Sequence, residues 1–304
     1  MDKKYKFPKI EENEDLIKKA FYPGNVEEEF YEGGKYVLCP YEIEGMFIVT
    51  KWRNSDFIKR NHGASRIRPK TYNPFRQENL LESIDKIDID NMGTILEFCN
   101  QFGLLSVNGF AQEERIEDFS HEVTTFKKCV EYCWNLKNNI EGEITTDLKS
   151  EYLFNLITSG TLEDNYFSLA EYRLNFMINS YIKNTYPQIK KSPGGGYIPY
   201  YSFDNLISVA YYHLFQIMTR NKQLNKCKNC GSFFVPRRSN SDYCPPPNPG
   251  ERSVCENRYN QMVSWSRKKI LSGEKTLEEV AKMKGRPLEE VRGWIESYKV
   301  EGLN

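Results

Sequence analysis

Apolar residues recur along this chain at two periods. From residue 77 to 221 they mostly return every three to four positions, the period of a helix buried on one face. The run QENLLESIDKI at 77–87 predicts one such helix, and Thr94–Phe102, closed by Gly103, predicts another. Residues 111–139 predict a longer helix with Ile116, Phe119, Val123, Phe126, Val130 and Trp134 on a shared side. Helices are also expected at 147–157 and at 164–184, the latter ended by Pro187. Ser192–Gly196 reads as a flexible break between helices, and 203–221 as a strongly apolar helix. Before residue 77 the period differs. Residues 35–39 and 46–52 read as two strands of a hairpin, with Glu42–Gly45 in the turn region. Residues 1–30 are polar and broken by Pro8, Pro23 and Gly24. The pattern predicts a mainly α chain, α+β by virtue of one small N-terminal hairpin.

After residue 222 the pattern gives way to cysteines. Cys227, Cys230, Cys244 and Cys255 follow the spacing Cys-x2-Cys, thirteen residues, Cys, ten residues, Cys. A Cys-x2-Cys pair on a tight turn offers two thiolates at tetrahedral angles, and a second pair brought back by a hairpin closes a shell around structural zinc. Gly231 supplies the positive φ such a knuckle needs. Phe233–Val235 read as a short strand ended by Pro236. The ten residues before Cys255 include four prolines and a glycine, so they read as a loop. A helix is predicted after Cys255, with Tyr259, Met262, Val263 and Trp265 as its apolar positions. The fourth thiolate then sits at a helix N-terminus, where the macrodipole favours negative charge. Knuckle, hairpin and ligand-bearing helix resemble a treble clef. A disulfide-bonded pair of loops and four unrelated buried thiols are the alternatives.

The segment CKNCGSFFVPRR, the third cysteine at Tyr243-Cys244, and Cys255-Glu256-Asn257-Arg258 opening a basic helix together resemble the CGNR zinc finger of bacterial proteins. Glu256 stands where that tetrad has glycine, and the gap between the third and fourth cysteines is longer. The resemblance covers about fifty residues. It implies a DNA-binding transcriptional regulator with a ligand-sensing or regulatory N-terminal domain.

Residues 276–295 have helix-turn-helix spacing, with Ala281 small at the crossing, Gly285 in the turn and Pro287 opening the second helix. Val280, Leu288, Val291 and Ile295 are the expected buried positions. This stretch looks like the helix-turn-helix of sigma factors and transposases. Its second helix carries Glu289, Glu290 and Glu296, which oppose phosphate.

Charge sharpens the division. The 304 residues carry 42 Lys/Arg and 42 Asp/Glu, yet 222–304 holds sixteen of the former against ten of the latter. A charge split between halves points to nucleic acid or to a solvated surface. The expected phosphate contacts are Arg237, Arg238, Arg258, Arg267, Lys268 and Lys269, with base reading near Arg286 and Arg292. A second cationic run spans 53–76 and reads as a solvated loop. No run of 18 apolar residues and no apolar leader is present, so a cytoplasmic protein without a membrane span is expected.

Other constellations are weaker. Cys129 and Cys133 share a helix face but have no second pair, so they read as buried thiols. Arg115 and His121 loosely resemble the Arg-x(4–6)-His motif of HEPN ribonucleases, although Ile116 stands where a polar residue usually follows the arginine. His62 and His213 read as packing or surface residues. The absence of a phosphate loop, nucleophile elbow or paired-carboxylate motif leaves an enzyme reading little support. The expected organisation is a mostly helical N-terminal regulatory domain at 1–221, a zinc finger at 222–270 and a helix-turn-helix-like segment at 271–304. DNA is the expected partner. A protein partner, or a small-molecule effector of the N-terminal domain, is the alternative.

Overall fold

The computed structural model describes residues 36–51, 70–77, 79–107, 113–140, 166–191, 196–238, 240–246 and 251–301. The expected helix at 147–157, the segment 1–30 and most of the cationic run at 53–76 lie outside the described residues. The chain divides into two compact units, Met1–Lys222 and Gln223–Asn304.

The first unit is mainly helical, as the 3.6-residue period requires. Strand β1 (Tyr36–Leu38) does not join the expected hairpin. It pairs antiparallel with β4 (Lys70–Tyr72). The hairpin forms instead between β2 (Tyr41–Glu44) and β3 (Phe47–Thr50), across a turn where Gly45 takes a φ of 61°. Part of the region read as turn is therefore strand. Tyr41 and Ile48, which lie on opposite strands of this hairpin, are its buried positions. Strand β5 (Glu113–Arg115) adds to β3, so the long helix expected from residue 111 starts only at Ile116.

Helices α1 (Leu80–Asp85), α2 (Met92–Phe102) and α3 (Ile116–Asn138) follow the predicted periodicity. Asn91 caps α2 by accepting from the Gly93 N–H at 2.9 Å, and Gly103 ends it at φ 97°. Phe119, Val123, Phe126 and Val130 of α3 are buried against α4 (Tyr166–Ile182) and α5 (Leu206–Thr219). Cys129 and Cys133 lie in this core, and burial pushes their thiols up to about 11 and about 12. They are core thiols with partners of their own: the Tyr211 hydroxyl lies 3.7 Å from the Cys129 sulfur, and Cys133 lies 3.3 Å from the Met218 sulfur.

Between α4 and α5 the sequence pattern misleads. The chain on either side of Ser192–Gly196, expected to be helical, instead forms β6 (Thr185–Lys191) and β7 (Tyr197–Phe203), paired antiparallel from Thr185↔Phe203 to Lys191↔Tyr197, while residues 192–195 lie outside the described residues. Tyrosine and isoleucine flanking a glycine-rich connection are a hairpin signal, and Pro187 and Pro199 obscure it. Both prolines are tolerated because every strand of a two-stranded ribbon is an edge. The base of the hairpin packs on Phe75, whose ring meets Phe203 at 5.5 Å and Tyr212 at 5.4 Å. His213 on α5 is held neutral at ordinary pH, because burial pushes its pKa down to about 4.

Among its described residues the second unit combines a small hairpin and three helices. Strands β8 (Asn225–Lys226) and β9 (Phe233–Phe234) pair antiparallel. Helix α6 (Val254–Leu271) packs with α7 (Leu277–Lys284) and α8 (Leu288–Glu301) around Val263, Val280, Ala281, Val291 and Trp294. Thr276 and Glu279 form a capping box on α7, satisfying two otherwise unpaired N–H groups. Gly285 takes the left-handed conformation that reverses the chain, at φ 61°. Helix α8 starts one residue after Pro287, whose carbonyl accepts from the Val291 N–H at 3.2 Å. The four-cysteine segment has a small cluster of its own around Cys227, Phe234 and Cys244, and α6 takes part in both clusters through Cys255 and Val263. No helix among the described residues is long and apolar enough to cross a membrane.

Candidate metal centre

The backbone builds the knuckle. The β8–β9 pair brings Cys227 and Ser232 together, and the Cys227 N–H donates to the Ser232 carbonyl at 2.9 Å. The chain reverses between them, where the Gly231 N–H returns to the Cys227 carbonyl at 2.9 Å and Gly231 takes φ 78°. No Cβ is tolerated there without strain. The returning segment is tied in twice. The Lys228 N–H donates to the Asp242 carbonyl at 2.9 Å, and the Asn225 amide donates to the Ser241 carbonyl at 2.8 Å. These bonds bring Cys244 under the knuckle, where Phe234 packs against Cys227 and Cys244. Ser253 caps α6 by accepting from the Glu256 N–H at 3.2 Å, so Cys255 lies in the first turn of that helix.

The four sulfurs converge. The Sγ atoms of Cys227, Cys230, Cys244 and Cys255 all lie within 4.8 Å of one another, and those of Cys230 and Cys244 are 3.5 Å apart. A tetrahedral shell with metal–sulfur bonds of about 2.3 Å places its sulfurs roughly 3.8 Å apart. The cluster matches that geometry, and it can hold a metal ion. A disulfide would need about 2.05 Å, and the four cysteines are free.

The electrostatics favour thiolate at one position first. The Cys230 thiol is held far below its ordinary value, because Cys227 and then Cys244 hydrogen-bond to its sulfur, and Ser232 adds its hydroxyl and N–H. Cys255 moves the other way. Burial pushes it up to about 11, and the neighbouring sulfurs of Cys227 and Cys230 add to the rise. A cation would supply the charge that lets all four ionise, as metal binding to thiols requires. The Asn229 side chain also hydrogen-bonds Cys255, favouring its thiolate.

The eight cations expected to meet nucleic acid fall into two groups. Arg237 and Arg238, beyond β9, and Arg258 and Lys268, on α6, are exposed. The other four have partners within the unit, Arg292 while still exposed. Arg267 donates through Nε to the Trp294 carbonyl at 2.8 Å and through Nη2 to the Ser297 hydroxyl at 2.8 Å. Lys269 pairs with Glu274, and Arg292 with Glu289 at 2.8 Å. Arg286 donates Nη1 to the Lys228 carbonyl at 2.7 Å and Nη2 to the Asn229 carbonyl at 2.8 Å.

The Arg286 fork is invisible in the sequence. Arg286 lies 56 residues beyond Cys230, and its proximity to the knuckle arises only when α7 turns into α8. Sequence reasoning also misses Asn229, inside the Cys-x2-Cys motif, and Ser232, two residues after it, as partners of the thiols. Arg115 and His121 do not share a helix face. Arg115 precedes α3 and pairs with Glu117 at 3.0 Å, and His121 is exposed on α3.

A family model described as a family of unknown function (DUF6076) matches residues 183–284, a span that includes all four cysteines. No curated protein and no solved structure matches the chain.

Proposed function

We propose that the four cysteines hold zinc and that the second unit is a zinc-stabilised DNA-binding module acting in transcription control. An all-thiolate, four-coordinate shell on a knuckle and a helix N-terminus suits zinc, which contributes folding free energy in such sites. The observation that carries the DNA reading is the set of exposed cations on this compact unit: Arg237 and Arg238 beyond the knuckle, Arg258 and Lys268 on the ligand-bearing helix. Phosphate contact is what such cations supply, and base reading falls to few side chains, since Arg286 and Arg292 already have partners.

The test is the salt dependence of DNA affinity. Removing one phosphate-binding cation lowers the log–log slope by about one unit. Replacing Arg237, Arg238, Arg258 and Lys268 together with Ser should weaken binding to every duplex and flatten the slope by roughly 2 to 4 units. Wild-type protein with no DNA affinity at low salt would leave a second reading, a zinc-stabilised protein-docking module. One observation favours that alternative: α8 exposes Glu289 and Glu296, which repel phosphate and suit a basic partner surface. Elemental analysis showing about one zinc per chain supports the metal assignment, whereas iron with visible absorbance would overturn it.

A further inference from the structure

Arg286 connects the metal knuckle to the helix pair. Its guanidinium forks onto two consecutive carbonyls, those of Lys228 and Asn229, between the first two cysteines. Its planar head also lies over the Tyr259 ring, 5.7 Å from the centroid, and 3.8 Å from the Glu290 carboxylate. Tyr259 donates to Glu290 at 3.0 Å and accepts from the Trp294 indole at 3.0 Å. A continuous set of interactions therefore runs from the Cys227–Cys230 turn through Arg286 into α8 and the core it shares with α6. The Arg286 side chain is only 19% exposed.

We propose that Arg286 is a positioning residue that couples metal occupancy of the knuckle to the docking of α7 and α8. The two carbonyls belong to the residues between Cys227 and Cys230. They hold a fixed direction only while that turn stays closed; the Gly231 N–H bond to the Cys227 carbonyl shapes it, and a metal held by both thiolates would lock it. The planar guanidinium aims one nitrogen at each carbonyl in a fixed geometry, whereas an ammonium is a single freely rotating point that does not fix both directions. Coupling is reciprocal: if metal strengthens the hold of Arg286 on the knuckle, that hold must strengthen metal binding by the same factor. Arg286 then serves geometry rather than base reading. The inference rests on the metal assignment alone, and it stands or falls independently of DNA.

The experiment uses the full chain without nucleic acid. Zinc affinity is measured by competition with a chromophoric chelator, and amide hydrogen exchange of 277–297 is followed with and without metal. In the wild type, removing zinc is expected to speed exchange across α7 and α8 by at least about tenfold. Arg286→Ala should weaken zinc binding by roughly tenfold and let α7 and α8 exchange fast even with zinc bound. Arg286→Lys, which keeps the charge but not the fork, should behave as the alanine variant does. Should Arg286→Ala fail to fold, Glu290→Gln offers a milder test: it removes the carboxylate that orients the guanidinium and should give the same two changes in smaller degree. The proposal is overturned if zinc removal leaves α7 and α8 exchange unchanged in the wild type. It is equally overturned if Arg286→Lys matches the wild type in both readouts. A wild-type chain that binds no metal refutes the metal assignment itself and is recognised before any variant is made.

Discussion

The ring of Tyr181 lies flat on that of Tyr211, centroids 4.2 Å apart and planes within 9° of parallel. This stack joins α4 to α5, and both rings are tied to α3. The Tyr181 hydroxyl donates to Glu122 at 2.5 Å, and Phe126 meets Tyr211 edge-on at 5.1 Å. Tyr211 is completely buried. Tyr211→Ala should therefore cost about 3–5 kcal/mol, the range for deleting a buried aromatic ring. Tyr181→Phe keeps the stack and removes one hydrogen bond, so about 1 kcal/mol is expected. Chemical denaturation followed by circular dichroism separates the two. Equal destabilisation would show that the hydroxyl, not the ring, holds these helices.

Glu114 gives the first unit a pH dependence. Its buried carboxylate accepts from the Leu105 N–H at 2.7 Å and from the Ser106 N–H at 2.9 Å. Burial nonetheless raises its pKa above the ordinary 4.5, and the hydrogen bonds offset this only in part. The folded protein therefore holds this proton more tightly than the unfolded chain. Its contribution to stability falls as pH rises from 4.5 to the higher folded value and levels off above it. Stability measured against pH in the wild type and in Glu114→Gln should differ in slope in that interval. Identical slopes would mean that Glu114 is ionised in the fold at the same pH as in the unfolded chain.

Thiol labelling distinguishes the two classes of cysteine. With a pKa of about 11, Cys129 has only about one thiolate in a thousand at pH 8, and it is buried as well. Iodoacetamide at pH 8 should leave Cys129 and Cys133 unmodified both before and after chelation. The four cysteines of the knuckle and α6 should be protected with metal and labelled once it is removed. Mass spectrometry reads both, and labelling of Cys133 in the folded protein would count against its place in the core.

Replacing Cys230 with Ala should remove metal and unfold the second unit while leaving the helices of the first unit intact. The metal of a structural thiolate site contributes on the order of 10 kcal/mol to folding. Circular dichroism should show a partial decrease in helix. A variant that keeps a full equivalent of zinc would contradict the four-cysteine shell.

The turn between α7 and α8 can be probed without touching the metal. Gly285 has open space where a Cβ would stand, so Gly285→Ala costs only its left-handed backbone, about 1 kcal/mol. Thr276→Ala removes the hydroxyl that accepts from the Glu279 N–H at 3.2 Å and should cost about 1 kcal/mol. The two sites lie at opposite ends of α7, so thermal or chemical denaturation of the double variant should show the two effects adding.

Local chemistry alone determined a good deal of this protein. Helical periodicity located α2, α3 and α5, because one buried face imposes a 3.6-residue repeat whatever lies opposite. Cysteine spacing identified the four clustered thiols, because a tetrahedral shell allows few loop lengths. Gly231 and Gly285 were legible because positive φ selects glycine. The tertiary structure decided matters of partnership. Strand β1 pairs with β4 rather than its sequence neighbour, because strand pairing can be settled between distant segments; Thr185–Phe203 forms a ribbon despite two prolines, because each of its two strands is an edge. The same holds for charge. Arg267, Lys269, Arg286 and Arg292 look like equivalent surface cations in the sequence. Lys269 and Arg292 meet carboxylates nearby in sequence, but only the folded unit brings distant carbonyls within 3 Å of Arg267 and Arg286, and those two side chains then serve the unit itself, while Arg237, Arg238, Arg258 and Lys268 remain exposed to solvent.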